Sequence, residues 1–301
     1  MTQVRRWINT WADRLFERFM RKPPSPRPWD HLYALGQQML TRRAEDGDAK
    51  AAYVLGDMFD QGTHGARKNL ATAITWYRLA AEQEDGDALN NLGSMHQHGD
   101  GLPQDMEQAR RYFERAAAAG CGVAMNNLGH FHNNGRGGLV ADPAAAVKWF
   151  KAGARRHDGN ALVSLGYAYS KGMGVRKSPL RAIYWYRRAA LAGDHKGAYN
   201  LAVGYWYGVD LVEDHRKAVS LLTASGVHDH PGTNFLLGRA YFEGLGIAKD
   251  LGEGLRLLRR AANVDYAQAH DYLQQTRCDA DAHGARRRAG HPDIARAGKP
   301  R

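Results

Sequence analysis

One motif recurs down the chain at a pitch of 36 to 37 residues: a Leu-Gly pair or near equivalent at Leu55-Gly56, Leu92-Gly93, Leu128-Gly129, Leu165-Gly166, Leu201-Ala202 and Leu237-Gly238. A period of this length marks stacked supersecondary units that bury their apolar faces on one another, so a chain of 301 residues need not build one central core. Four residues before each Leu stands a small residue (Ala51, Ala88, Ala124, Ala161, Gly197, Thr233), and four after it an aromatic or histidine (Phe59, His96, His132, Tyr169, Tyr205, Tyr241). An i, i+4, i+8 series is one face of a helix, here helix A. Glycine inside a helix costs about 1 kcal/mol relative to alanine, so its recurrence calls for a steric reason, and close approach of the partner helix supplies one.

Helix A is expected to stop at Gly62, Gly99, Gly135, Gly172, Gly208 and Gly244, where a residue without Cβ accepts the left-handed turn. A second helix, B, starts at N-cap types in every repeat: Asn69, Asp105, Asp142, Ser178, Asp214 and Asp250. Each cap is followed by a small residue and then a bulky pair, Trp76-Tyr77, Tyr112-Phe113, Trp149-Phe150, Trp185-Tyr186, Leu221-Leu222 and Leu257-Leu258. Burying one such side chain is worth roughly 1.5–3 kcal/mol, so these pairs are expected to dominate the energy of stacking. The two longer repeats carry their extra residue between the helices, near Gly62 to Lys68 and Gly135 to Ala141. An incomplete helix B at Leu35–Ala44 and an incomplete helix A near Ala267–Gln275 flank the array, as a solenoid needs to cover its end faces.

The residues just described resemble the Sel1-like repeat family, a longer-looped relative of the tetratricopeptide repeat, over about residues 29–276. The resemblance implies an all-α fold, a right-handed α-solenoid superhelix of antiparallel helix pairs. It implies that helix A lines a concave groove with helix B outside, and that the chain works as an adaptor or scaffold in protein complexes. Some secreted, cysteine-rich members hold each repeat with a disulfide; here Cys121 and Cys278 occupy non-equivalent positions.

Carrying the groove register of the tetratricopeptide relatives onto this chain nominates Asn90, His98, Asn126, His130, Tyr167, Tyr199, Trp206 and Phe235 as partner-binding positions. The first half of the register is polar and rich in amides, the last half aromatic. Asn90 and Asn126 hold equivalent sites in successive repeats, where an amide can both donate to and accept from an extended peptide. The alternative is that they solvate or cap helix A, and for Trp206 that it belongs to the core.

Charge and motifs exclude other classes. The formal charge is +11, yet residues 1–28 carry +5 and residues 277–301 carry +4, leaving +2 for the repeats. That distribution is not a phosphate-binding face, and no nucleic-acid partner is expected. His96, His98, His130 and His132 fall in adjacent repeats, but i and i+2 on a helix point apart, so no metal site and no cofactor are expected. No nucleophile elbow, phosphate loop or zincin motif is present, and the chain reads as a non-enzyme.

Residues 1–22 form an amphipathic basic helix on which Trp7, Ile8, Trp11, Leu15 and Phe19 share one stripe. It can lie in an anionic membrane surface, dock on a partner or fold back on the repeats. A Pro-rich linker, residues 23–28, separates it from the array, and residues 277–301 read as a basic disordered tail. Arginines at Arg5, Arg6, Arg14 and Arg18 interrupt any signal-peptide core, which sets aside the cell-wall hydrolase role claimed for secreted relatives. The sequence therefore points to a monomeric, bacterial, cytoplasmic adaptor that grips an extended segment or helix of another protein, with a scaffold tethered at the inner membrane face by the N-terminal helix as the alternative.

Overall fold

The computed structural model describes residues 27–224 and 230–276. The basic helix expected over residues 1–22, with Trp7, Ile8, Trp11, Leu15 and Phe19, most of the linker 23–28 and the tail 277–301 lie outside the described residues.

A 3-10 turn, Asp30–Ala34, leads into α1 (Gln37–Glu45) and then into alternating A and B helices. The A helices are α2 (Ala49–Gln61), α4 (Gly86–His98), α6 (Gly122–Asn134), α8 (Gly159–Lys171), α10 (His195–Tyr207) and α12 (Pro231–Glu243). The B helices are α3 (Leu70–Glu82), α5 (Met106–Ala118), α7 (Pro143–Arg155), α9 (Pro179–Leu191), α11 (His215–Ala224) and α13 (Leu251–Ala262). Residues 267–276 are helical again, and no strand occurs among the described residues. The chain is thus an α-solenoid of antiparallel helix pairs. It divides into two compact units, one running to Gly204 and including residues 208–212, the other comprising residues 205–207 and those from Glu213 onward.

The pitch follows from the elements. A helices are 13 residues long, loops 99–105 and 172–178 have seven residues, loops 62–69 and 135–142 have eight, and the B-to-A connections at 83–85, 119–121 and 156–158 have three. Each A helix ends on its glycine in the left-handed region, with φ between 63° and 79°. The residue before helix B then donates its backbone N–H to helix A of the same repeat. Asn69, Asp105, Asp142, Ser178, Asp214 and Asp250 reach the carbonyls of Phe59, His96, His132, Tyr169, Tyr205 and Tyr241 at 2.7–2.9 Å. Five of these residues also cap helix B with their side chains; Ser178 does not, and Pro179 follows it at the first helical position.

The recurring glycine of helix A has a steric cause: in the first four repeats the nearest atoms are those of a ring, and in the sixth a Cβ on Gly238 would face the Leu258 side chain at 2.9 Å and the partner helix's backbone at 3.0–3.1 Å. A Cβ on Gly56 would stand 2.5 Å from the Tyr77 ring, on Gly93 2.8 Å from Phe113, and on Gly166 2.7 Å from Tyr186. Gly129 meets Phe150 in the same way. In the first four repeats the second member of the bulky pair therefore lies over the glycine of its own repeat, and Tyr77 and Phe113 are fully buried there. In the fifth repeat the sequence has a smaller Leu222 at the ring position and Ala202 at the glycine position.

Successive repeats of the first unit are joined along the A helices by side chains about one pitch apart. Lys50 bridges Asp85 at 2.6 Å and Asp87 at 2.9 Å; burial disfavours its charge, but the two carboxylates outweigh this and leave its pKa raised. Asn127 donates to Asn90 at 3.0 Å, Ser164 to Asn126 at 2.9 Å, and Lys196 to Asn160 at 3.0 Å. Such bonds fix the register of one repeat on the next in a way that apolar contact cannot.

Candidate functional site

The surface of interest is the A-helix face of the first unit, where the flanking A helices leave a narrow strip of each helix open. Counting from the repeat Leu, the strip consists of the second and sixth residues after it. His130 and Tyr167 are exposed at the first of these positions, and Gln61, His98, Asn134 and Lys171 at the second. At the residue two before the Leu, Asn90 and Asn126 bond to the next A helix instead.

That geometry sorts the sequence candidates. His98 is exposed, with Nδ1 2.9 Å from the Ser94 carbonyl. Tyr167 is 49 % exposed, with Lys171 Nζ 5.9 Å above its ring. His130 is exposed at one edge, 5.1 Å from the Phe150 ring. Asn90 is half-buried and accepts from Asn127, and Tyr199 is half-buried with contacts of its own.

Three expectations are corrected. Asn126 is only 6 % exposed, because its Oδ1 takes the Ser164 hydroxyl of the next repeat; its amide holds repeats together and does not face the groove. Trp206 and Phe235, in the second unit, are 3 % and 5 % exposed and belong to an interior cluster. Trp206 lies edge-on to His215, and Phe235 packs at 5.5 Å from Tyr266 and 6.2 Å from Tyr272. Arg239 fills the space between them, its guanidinium 5.5 Å from Trp206 and 5.2 Å from Tyr272. Glu243 neutralises it: burial works against the Glu243 carboxylate, but Arg239 and the Tyr272 hydroxyl, bonded at 2.8 Å and 2.7 Å, leave its pKa lowered. Trp206 and Phe235 are thus part of a self-filled core.

Between α6 and α8 the open strip deepens into a cavity of about 210 Å³. Its floor is apolar: Pro143, Val147 and Phe150 from α7, Val163 and Ala168 from α8, and Met173 from the loop beyond. Its rim is polar: His130 and Asn133 from α6, Ser164 and Tyr167 from α8, and Asn200 from α10. Small-molecule sites run to roughly 300–1,000 Å³, so this one is of side-chain size. Desolvation, and then the charges of Arg136 and Lys196, lower the pKa of His130, leaving a neutral ring at the rim.

The four histidines that cluster in sequence serve separate contacts. His96 stacks on Tyr112 at 5.6 Å and His132 on Trp149 at 6.3 Å, while His98 and His130 sit on the open strip. Among the described residues no group of three His, Cys, Asp or Glu side chains converges on one point, and no helix is long and apolar enough to cross a membrane. Cys121 is buried at the start of α6, and burial pushes its thiol up to about 11.

Sequence reasoning missed the N-caps of the A helices, Asp48, Asp85, Asp158 and Asp194, each of which accepts from backbone N–H groups of the first turn. Their signal was present, since they recur at the same pitch as the Leu-Gly pair. It also missed the bonding partners Asn127 and Ser164, which lie one residue before the repeat Leu.

Comparison with known proteins converges on this architecture. The Sel1 repeat profile matches residues 49–85, 86–121, 122–158, 159–194, 195–225 and 233–266; its first five copies begin where an A helix begins, and the sixth begins two residues inside α12. The chain belongs to the Sel1 repeat family. Among solved structures, a Sel1 repeat protein from Oxalobacter formigenes is 28 % identical with a TM-score of 0.64, covering 74 % of this chain and 90 % of that one. An immunity protein from Pseudomonas aeruginosa shares the fold, at 15 % identity and a TM-score of 0.50 over 81 % of this chain and 85 % of the other. Curated relatives are similar over shorter stretches. The ERAD-associated E3 ubiquitin-protein ligase component HRD3B of Arabidopsis thaliana is 39 % identical over 71 residues, and the protein sel-1 homolog 2 of Rattus norvegicus 35 % over 83 residues. These matches span 24 % and 27 % of this chain but only 12 % of either relative. Sel1 repeat proteins generally mediate protein–protein interaction and are typically non-enzymatic adaptors.

Proposed function

We propose that this Sel1 repeat protein is a cytoplasmic adaptor whose first unit holds an extended segment of a partner protein along its A-helix face. The observation that carries the reading is the strip of side chains that stacking of the repeats leaves exposed: His98, His130 and Tyr167 reach solvent on successive A helices, and a cavity opens beside the last two. Rings and amides displayed in a row on a rigid scaffold favour protein recognition, because aromatic anchors contribute large contact area at small entropic cost. The cross-repeat bonds beneath the strip hold it in one register, so a bound segment need not order its own site.

Site-specific photo-cross-linking tests the proposal. A photoreactive phenylalanine at His98 or Tyr167 is expected to trap a discrete partner in cell extract, whereas the same probe at Tyr184, exposed on the B helix α9, is not. Trapping from Tyr184 with none from His98 or Tyr167 would reverse the assignment of faces.

A further inference from the structure

The cavity between α6 and α8 exists for a reason readable in one column of the repeat. Three residues after the repeat Leu, the first three repeats place a large buried side chain: Met58, Met95 and Phe131. The fourth repeat has Ala168 there, and Ala168 lines the cavity. The fifth has Gly204, but Leu211 occupies that space, its Cδ1 3.1 Å from where a Cβ would stand. In the fourth repeat the missing side chain is left as an opening that reaches the exposed strip through Tyr167 and His130.

The charged side chains nearest His130 and Tyr167 are cations. No carboxylate lines the cavity. Arg136, Lys171 and Lys196 are exposed around it, Lys171 over the Tyr167 ring and Lys196 tied to Asn160. The carboxylates that begin the neighbouring A helices, Asp158 and Asp194, are committed to backbone N–H groups as caps. A cavity near 150 Å³ is enough to hold a benzene ring, so about 210 Å³ takes one aromatic or branched aliphatic side chain but not a drug-sized ligand.

The geometry points to an anchor pocket for a protein segment that inserts one bulky apolar side chain between α6 and α8 and carries acidic residues on either side of it. This rests on the adaptor reading and sharpens it. Apolar burial supplies the affinity, and the cations of the rim, complementary to the flanking carboxylates, supply the choice of segment. The cavity-filling substitution Ala168→Met restores the residue used by the first two repeats, so it closes the pocket without removing any contact the fold depends on.

Selection of random peptides displayed on phage against the full chain decides the matter. Expected winners share one bulky aliphatic or aromatic residue flanked by Asp or Glu. As synthetic peptides they should bind Ala168→Met about tenfold or more weakly, while the melting temperature of that variant is unchanged or raised. Binding should fall with salt and should fall further in Lys171→Glu. Winners without an apolar anchor, winners with basic flanks, or equal binding by Ala168→Met would each overturn the assignment. Absence of winners alongside successful cross-linking from Tyr167 would refute the pocket and leave the adaptor standing; failure of both would remove both.

Discussion

At the scale of single residues the fold turns on a size exchange between a glycine and a ring. Gly166→Ala would put a methyl 2.7 Å from the Tyr186 ring, an overpacking that costs about 1–3 kcal/mol. Urea denaturation should show that loss, and Tyr186→Leu in the same chain should recover part of it, since Ala202 already coexists with Leu222 in the fifth repeat. A second residue-scale prediction concerns His130. Its folded pKa lies below the 6.5 of the free side chain, so protons bind the unfolded chain more readily. The stability it contributes is present above that value and is lost as pH falls through and below it. Comparing melting temperatures of the parent and His130→Gln across pH 5–8 should show a shallower acid slope in the variant; parallel slopes would mean that the ring titrates alike in both states. The size exchange was legible in sequence as a demand for glycine, but what stood opposite was not. A linear pattern reports that something comes close, and only the packed pair reveals that it is a ring.

At the scale of the helix pair, caps and turn hydrogen bonds set the boundaries. The A helices starting at Asp48, Asp85, Asp158 and Asp194 have side-chain caps, whereas α6 starts at Cys121 with none. Cys121→Ser supplies an oxygen at that position without adding charge beside Asp87, and a gain of about 0.5–1 kcal/mol in chemical denaturation is expected. Boundaries of this kind were readable because a cap acts within four residues of itself, and sequence neighbours are then the only neighbours that count. The candidate site divides along the same line. His98, His130 and Tyr167 are exposed on the A-helix face. Asn126, Trp206 and Phe235 are not, because whether a helical face is free depends on which helix of the next repeat lies against it.

On the scale of the whole molecule, stacking makes stability local. In the first unit each helix packs mainly on the one or two that follow it, so an injury at one end should not spread to the other. Leu55→Ala removes a fully buried side chain worth about 2–5 kcal/mol. Hydrogen exchange should accelerate in α2 to α4 while α8 and α9 keep their protection; uniform loss across the unit would show that the repeats unfold as one. The sequence on its own determined the repeat, the helix pairs, their caps and the glycine stops, since these depend on residues a few positions apart and recur six times to correct any single misreading. Only the tertiary structure decided which A-helix positions stay open, which close into the core, and where a shortened side chain leaves a cavity. Exposure belongs to the pairing of surfaces on different helices, as where Lys196 reaches Asn160 of the preceding repeat, and no local pattern in the chain carries that information.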